Sequence, residues 1–422
     1  MREMKDSGID WIGTIPQDWQ LSKIGSLYTQ RNEKVSDNDY QPLSVTMQGI
    51  LPQLATAAKT DDGDNRKLVR AGDFAINSRS DRRGSCGISP LDGSVSLINI
   101  ILTPRTAMHP GYYNWLFHTT LFADEFYKWG HGIVADLWTT RWQEMKSITV
   151  PVPEYAEQKR IAAFLDAECA EIDAVLEKTR ASIEEYKKLK QAVITQAVTK
   201  GIHGDRPMKD SGIEWIGDIP AGVPISRVGL HFDIVLGKML CSAPVDDNYT
   251  LESYYCAADV HFEGLSNGEK KKMWFSPDEK EQYCVKNGDL LVVEGGAGAG
   301  GCAIAVSTDV PIYIQNSIMI VRSKGISNIR YLRYLLECLV KKGYIDVVCN
   351  KATIPHFTKD KLANVPFIVF SQSEQEEIAE YLNEKCAGID ALIAKKQQYL
   401  TEIENYKKSL IYEYVTGKKE VV

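Results

Sequence analysis

The sequence predicts an α+β protein: two globular α+β bodies separated by a long antiparallel two-helix coiled coil, arranged as a pseudo-twofold internal repeat. Three observations predict it. Residues 4–16 read MKDSGIDWIGTIP and residues 208–220 read MKDSGIEWIGDIP, with eleven of thirteen positions identical at an offset of 204. Each half ends in a polar tail with heptad-spaced apolar residues. Between motif and tail, each half holds short apolar runs, turn signals and one stretch of helical periodicity.

The repeat continues more weakly at an offset near 217. Gly72-Asp73-Phe74 matches Gly288-Asp289-Leu290, and Cys86 matches Cys302. Tyr112, Trp115 and Leu116 match Tyr331, Tyr334 and Leu335. Glu157-Gln158 matches Glu374-Gln375, and Ile172-Asp173-Ala174 matches Ile389-Asp390-Ala391. The chain therefore divides into a first body with the opening motif (1–153), a central long helix (154–203), a second body (204–368) and a C-terminal long helix (369–422).

The first tail, taken in alternating steps of four and three, runs Leu165, Cys169, Ile172, Leu176, Thr179, Ile183, Tyr186, Lys190, Val193, Ala197. The second runs Leu382, Cys386, Ile389, Ile393, Lys396, Leu400, Ile403, Lys407, Leu410, Tyr414. A 3.5-residue repeat places these side chains on one stripe, which a partner helix must bury. The predicted seam therefore holds Leu165, Ile172, Leu176 and Ile183 against Leu382, Ile389, Ile393, Leu400 and Ile403. The stretch from Glu157 to Val198 has no Pro or Gly. At ~1.5 Å per residue it spans roughly 60 Å. Gly201 and Pro207 mark its stop. Gly388 interrupts the second tail at a cost of about 1 kcal/mol.

In the bodies, Phe74-Ala75-Ile76, Ser96 to Leu102, Leu290 to Val293 and Ile312 to Val321 read as strands. Tyr112 to Tyr127 and Asn328 to Lys341 read as helices. Strands followed by helices favour an α+β body over a doubly wound sheet.

The composition, 44% hydrophobic and 25% charged, is that of a folded soluble chain. No basic-then-apolar leader opens it, and no apolar run reaches the ~18–20 residues of a membrane span; the expected location is the cytoplasm. Nine cysteines without C-x-x-C pairs point to buried thiols rather than zinc or disulfides. The net charge of −7 argues against a simple DNA-coating protein. Residues 17–150 carry 14 basic and 14 acidic side chains, and residues 221–366 carry 16 and 16. Neutral bodies can display basic loops, but tight DNA binding then needs a positively charged partner.

No paired-His metal motif, no G-x-S-x-G elbow and no Asn/Asp-Pro-Pro-aromatic signature is present. No catalytic residue and no metal ligand is expected. The stretch 295–301, GGAGAGG, has no Lys-Ser/Thr after it, and its counterpart, SRSDRRG at 78–84, is not Gly-rich; a hairpin connection is the expectation. DNA-contact candidates are Asn77, Arg79, Ser80, Arg82, Arg83, His131 and Arg141 in the first body. In the second they are Lys270, Lys271, Lys272, Lys351, Thr353 and His356. Arg offers two donors to guanine O6/N7, and Asn pairs likewise with adenine. The halves agree in their connectors and differ in these loops, which is the pattern of two bodies reading two different short sequences.

The ordered motifs resemble the specificity subunit of Type I restriction–modification systems. DWIGTIPQDW at 10–19 and EWIGDIP at 214–220 resemble the openings of its target-recognition domains. EQKRIAAFLDAECAEID at 157–173 and SEQEEIAEYLNEKCAGID at 373–390 resemble the openings of its conserved helices, and EYKKLKQAVITQAVTKG at 185–201 a helix end. Val223 stands where the first half has Trp19, and the second helix opens after Phe370-Ser371 rather than a Pro-rich stretch. The resemblance implies a non-catalytic subunit in which each domain reads one half of a split double-stranded DNA target with a non-specific gap. It also implies modification subunits, two per chain, docked on the coiled coil and carrying S-adenosylmethionine and adenine-N6 methyl transfer. Restriction subunits would bring ATP and Mg. A two-headed protein-binding scaffold with no DNA role is the alternative.

Overall fold

The computed structural model describes residues 2–53, 63–132, 138–349 and 355–421. Two compact units share the chain: residues up to Ala181 with those from Gln397 onward, and Ser182–Lys396. The two long helices, Tyr155–Lys200 and Gln372–Val415, each contribute to both units. The compact units therefore cross the sequence repeat.

In the first unit, a four-stranded antiparallel sheet orders Cys86–Ile88, Phe74–Asn77, Asn99–Pro104 and Tyr28–Arg31. In the second, the same order recurs with Cys302–Ile304, Leu290–Val293, Ile318–Ser323 and Phe232–Leu236. Both faces of the central strands are covered, so residues 74–76, 100–102, 290–293 and 318–321 are apolar without interruption, while the edge strands Tyr28–Arg31 and Phe232–Leu236 also carry polar residues. Leu290 and Val292 join a core with Tyr331, Leu335 and the helix residues Ile194 and Val198. Leu291 and Val293, pointing the other way, join Tyr255, Ile314 and Ile320. In the first unit Phe74 and Ile76 pack with Tyr112, Phe117 and Val415, while Ala75 packs with Leu43, Val69 and Val95.

Three predicted elements are broken. Tyr112–Tyr127 is two helices, Pro110–Phe117 and Thr120–Lys128, because the Thr119 side chain accepts from Phe122 N–H and caps the second. Ile312–Val321 splits into Tyr313–Ile314, in a three-stranded sheet, and Ile318–Ser323, in the four-stranded one; polar Gln315–Ser317 makes the crossing. Ser96–Leu102 becomes a strand only at Asn99, whose N–H closes a turn on Ser96 O. Asn328 caps Ile329–Lys341, one residue later than the expected start.

Every seam residue from Leu165 to Ala197, and from Leu382 to Tyr414, is buried or half-buried, while most residues between them are exposed. The helices run antiparallel within each unit. In the first, the Phe164 ring packs tilted against Tyr414 (centroids 4.4 Å apart) and Lys407 Nζ lies 2.6 Å from Asp173. In the second, Lys190 Nζ lies 2.7 Å from Asp390. These ion pairs exchange under the 217 offset, so the polar interruptions of the seam meet each other's carboxylates. The first helix stops at Gly201, whose φ of +77° ends it without Cβ strain. Gly388 stays helical and exposed.

The heads grip the helices through bonds that repeat. Tyr112 Oη donates to Val415 O at 2.8 Å, and Tyr331 Oη to Val198 O at 3.0 Å. Gln158 Oε1 accepts from His109 N–H, and Gln375 Oε1 from Asn328 N–H. Arg2 pairs with Glu157 and Arg206 with Glu374. Trp19 Nε1 also donates to Glu157 at 2.9 Å; Val223, at the matching position, fills the core without that bond.

Candidate nucleic-acid interface

In each unit the strands of the four-stranded sheet release loops at a common edge. In the first unit the hairpin between Phe74–Asn77 and Cys86–Ile88 carries a 3-10 turn, Ser80–Arg82. Its backbone is tied to the segment after the helices: Arg79 bridges Thr139, Ser80 N–H donates to Trp138 O at 2.9 Å, and Thr140 N–H to Ser78 O at 3.0 Å. Thr139 in turn pairs with His131 in both directions. Two candidate stretches distant in sequence thus form one surface.

Their roles within it differ. Asn77 is buried; its Oδ1 accepts from Arg79 N–H and its carbonyl from Tyr127 Oη, so it shapes the loop. Arg79, Arg82, Arg83, His131 and Arg141 are exposed, and Ser80 is half-buried. The Arg82 guanidinium lies 3.8 Å from Asp81, its one ion-pair partner among the described residues. Arg83 pairs with Asp124 and sits over the Tyr127 ring. His131 Nε2 is 3.9 Å from Glu144, whose carboxylate also accepts from Arg141 N–H. Trp129 and Trp138 are exposed beside these residues, a contribution the sequence reading missed.

In the second unit the matching hairpin is the Gly-rich stretch, and it is a hairpin as expected: Leu290–Val293 pairs with Cys302–Ile304. Four of its amides are spent internally or on Pro355. Gly296 N–H donates to Pro355 O, Ala299 N–H to Gly296 O, Gly300 N–H to Val293 O and Gly301 N–H to Gly298 O. These four are therefore not open to a phosphate. Gly300 has φ +81°, and a Cβ there would lie 2.8 Å from Val340 and Ile345, so the turn rests directly on the helices. Gly295 bridges His356 as Arg79 bridges Thr139. His356 is exposed, with Nδ1 3.5 Å from Glu294.

The three lysines sit elsewhere. Lys270 Nζ donates to Asp259 at 2.9 Å and to Ser266 O at 2.7 Å, over the Tyr255 ring. Burial opposes ionisation of Asp259, but hydrogen bonds from Cys256 and Lys270 outweigh it and hold the carboxyl below its ordinary range. Lys270 is thereby committed to structure. Lys271 and Lys272 are exposed on Lys271–Phe275, which pairs with Thr250–Tyr255 in the three-stranded sheet. Lys351 and Thr353 lie outside the described residues. The sequence reading also missed Gln315, Asn316 and Ser317 at the sheet edge: Ser317 Oγ donates to Gln315 Oε1 at 2.6 Å, and Gln315 Nε2 to Asn316 Oδ1.

Between seam positions the first unit carries the Arg180–Glu404 ion pair. Some positions just before a seam residue carry exposed apolar side chains, Val175, Tyr399 and Tyr406 in the first unit and Leu189 and Leu392 in the second, while others carry charge, such as Glu171, Lys178, Glu185 and Lys395. Val175 matches Leu392, and Leu189 matches Tyr406, under the 217 offset.

All nine cysteines are free thiols, and burial pushes those of Cys86 and Cys302 up to about 12. Among the described residues there is no metal-ligand cluster of His, Cys, Asp or Glu, and no helix long and apolar enough to cross a membrane.

Residues 263–404 match the family described as Type I restriction modification DNA specificity domain. The chain is 26% identical over 290 residues to the Type I restriction enzyme MjaVIII specificity subunit of Methanocaldococcus jannaschii, covering 65% of this chain and 63% of the relative. It is 24% identical over 291 residues to the putative type I restriction enzyme MjaX specificity subunit of the same organism, covering 66% and 61%. The match thus spans less than two thirds of these relatives. Among solved structures, a chain from a study of complex assembly and conformational transition of the type I R-M system matches with TM-score 0.74 and 16% identity, covering 96% of this chain and 99% of that one. The HsdS subunit from Thermoanaerobacter tengcongensis matches with TM-score 0.55 and 17% identity, covering 96% and 98%. These two structural likenesses speak to the fold.

Proposed function

We propose, from the premise that this chain belongs to the Type I restriction–modification specificity family, that it is the non-catalytic DNA-reading subunit of such a complex. Each sheet edge reads one half of a bipartite target. The observation that carries this is a contrast at one structural position. The hairpin loop that presents Arg79, Arg82 and Arg83 in one unit is replaced by a Gly-rich turn beside His356 in the other, while the bonds joining head to helix repeat.

Reading two half-sites at one register on the duplex requires a fixed spacer. The paired helices supply it in this proposal. The Lys190–Asp390 and Lys407–Asp173 pairs are partly exposed and stabilise weakly, by about 0–1 kcal/mol each. Their value is register, since a polar residue on a seam rejects pairings that leave it without a partner. The exposed apolar side chains on the long helices, Val175, Tyr399 and Tyr406 in one unit and Leu189 and Leu392 in the other, support docking of modification subunits there, because exposed apolar side chains grouped on a helix suit a partner surface. In this proposal two modification subunits bring S-adenosylmethionine, adenine-N6 methyl transfer and the positive charge that the neutral heads lack. Any restriction subunit brings ATP and Mg, and the assembly works in the cytoplasm.

Methylation sequencing with Arg82→Ala and His356→Ala tests the division of labour. Arg82→Ala should relax the first half-site only and His356→Ala the second only. Removing a side chain that bonds directly to a base edge should cost about 1–3 kcal/mol of discrimination. A single uninterrupted recognition motif, or both half-sites changing together, refutes the reading.

A further inference from the structure

The second unit carries a pinned apolar tip at its proposed reading edge. The chain leaves Phe232–Leu236 at Gly237, whose N–H donates to Ile318 O at 3.0 Å. A Cβ on Gly237 would lie 2.4 Å from Gln315 O, so the backbone there is pressed against the neighbouring segment. Lys238 N–H donates to Ile314 O, and its carbonyl accepts from Asn316 N–H at 2.8 Å. The Lys238 side chain turns inward, pairs with Glu279 and lies 4.9 Å over the Tyr249 ring and 5.3 Å over the Phe275 ring. Three residues on, Cys241 O accepts from Trp274 N–H at 3.0 Å.

Between these anchors stand Met239 and Leu240, 75% and 63% exposed. The neighbouring backbone leads straight to the reading loop: Asn316 adjoins Ser317, whose carbonyl accepts from Glu294 N–H, and Glu294 precedes the Gly295–His356 bridge. At the matching strand end of the first unit, Asn32 and Glu33 lead into the short strand Lys34–Val35, and no such tip forms.

A lone exposed apolar residue needs no explanation, but two adjacent ones on an anchored loop do. The tip is far too small for a protein interface, which buries about 800 Å² per partner. It has the size and chemistry of the Met, Leu, Ile or Phe wedges that enter duplex DNA between stacked base pairs. We infer that Met239 and Leu240 form such a wedge, partly unstacking one base step in or beside the half-site read by the second unit. This rests on the DNA-reading function proposed above. It adds specificity of a different kind from base-edge hydrogen bonds, since pyrimidine–purine steps open more readily than others. It also makes the two half-sites unequal: only the second is deformed.

The test uses the full chain assembled with its modification subunits and duplexes carrying its methylated target. 2-Aminopurine is placed in turn at positions through both half-sites. The expected result is a severalfold fluorescence rise on binding at one step of the second half-site. That rise should vanish in the Met239→Ala/Leu240→Ala double variant and persist in Met47→Ala, an equally exposed methionine of the first unit. Salt-dependent binding of the unlabelled duplex is measured on the same samples. Absence of binding by the wild-type complex sinks the DNA-reading function and this inference with it. Binding without brightening at any position sinks the wedge alone. So does brightening that survives the double variant, or a double variant that loses its modification subunits instead.

Discussion

The two buried tyrosine hydroxyls that join head to helix make a sharp test of how each unit is closed. Tyr112 and Tyr331 are fully buried. Their acceptors, Val415 O and Val198 O, belong to the last turns of the long helices, where carbonyls have no partner within the helix. Replacing either tyrosine by Phe keeps the ring and removes one oxygen. Each hydroxyl also approaches a second carbonyl, Tyr112 to Pro151 O at 3.5 Å and Tyr331 to Ile368 O at 3.2 Å, and Ile368 O keeps the Phe370 N–H as a donor, so the helix-end carbonyl is the acceptor that each loss leaves short. A buried carbonyl without a donor costs about 1–3 kcal/mol. For a unit of this size that corresponds to a Tm decrease of roughly 2–12 °C. Tyr113 is the internal control. It is equally buried, but its hydroxyl has no hydrogen-bond partner, so Tyr113→Phe removes a polar atom that gains nothing from folding. Calorimetry of the three single variants should show Tyr112→Phe and Tyr331→Phe melting lower, and Tyr113→Phe unchanged or higher. Equal losses for Tyr112→Phe and Tyr113→Phe would refute the assignment of stability to the helix-end bonds.

Gly388 is exposed within a helix, and a Cβ there meets nothing within 4 Å, so Gly388→Ala should raise stability by about 1 kcal/mol in urea unfolding; a decrease would show that the glycine is needed. Burial holds Tyr28, Tyr112 and Tyr331 well above their ordinary value of 10.0. In the unfolded chain these phenols ionise near that value while in the fold they stay neutral. The associated stability is therefore complete below pH 10 and falls as pH rises beyond it. Urea midpoints measured from pH 8 upward should decline in that range, and the Phe variants at 112 and 331 should decline less steeply; parallel slopes would refute the cause.

The helices and their seam were legible because heptad spacing is a local property: all the predicted seam positions are buried or half-buried. The central strands were legible for the same reason, being apolar on both faces. The errors fall where a polar side chain decides the backbone. Thr119 caps a new helix where periodicity ran on, and Gln315–Ser317 turns the chain from one sheet to another. In the candidate interface, charge alone did not separate readers from structure. Arg82 and Lys270 look alike in sequence, but one is exposed and the other is held by Asp259 and Ser266. Arg2 and Arg206 were invisible as anchors because their partners, Glu157 and Glu374, lie more than 150 residues away.

Each compact unit takes its closing helix end from the opposite half of the repeat, and this fixes what half a chain must do. Residues 1–203 alone lack Leu410 and Val415, which complete the first core. They hold the matching Val193 and Val198 with no head of their own to close. Two copies laid antiparallel would cure both defects. Lys190 of each would meet Asp173 of the other, as Lys407 meets Asp173 and Lys190 meets Asp390 in the full chain. Tyr112 would find Val198 O in place of Val415 O. The substitution is imperfect: Tyr412 and Lys418, which donate to Ile12 O, become Thr195 and Gly201, losing bonds worth about 1 kcal/mol each. Closing the apolar core of both heads outweighs these losses, so residues 1–203 should sediment as a dimer at micromolar concentration. Lys190→Glu would set like charges together at both symmetric positions and weaken the dimer, and adding Asp173→Lys should restore it. A well-folded monomer in ultracentrifugation would refute the view that the two helix seams are interchangeable.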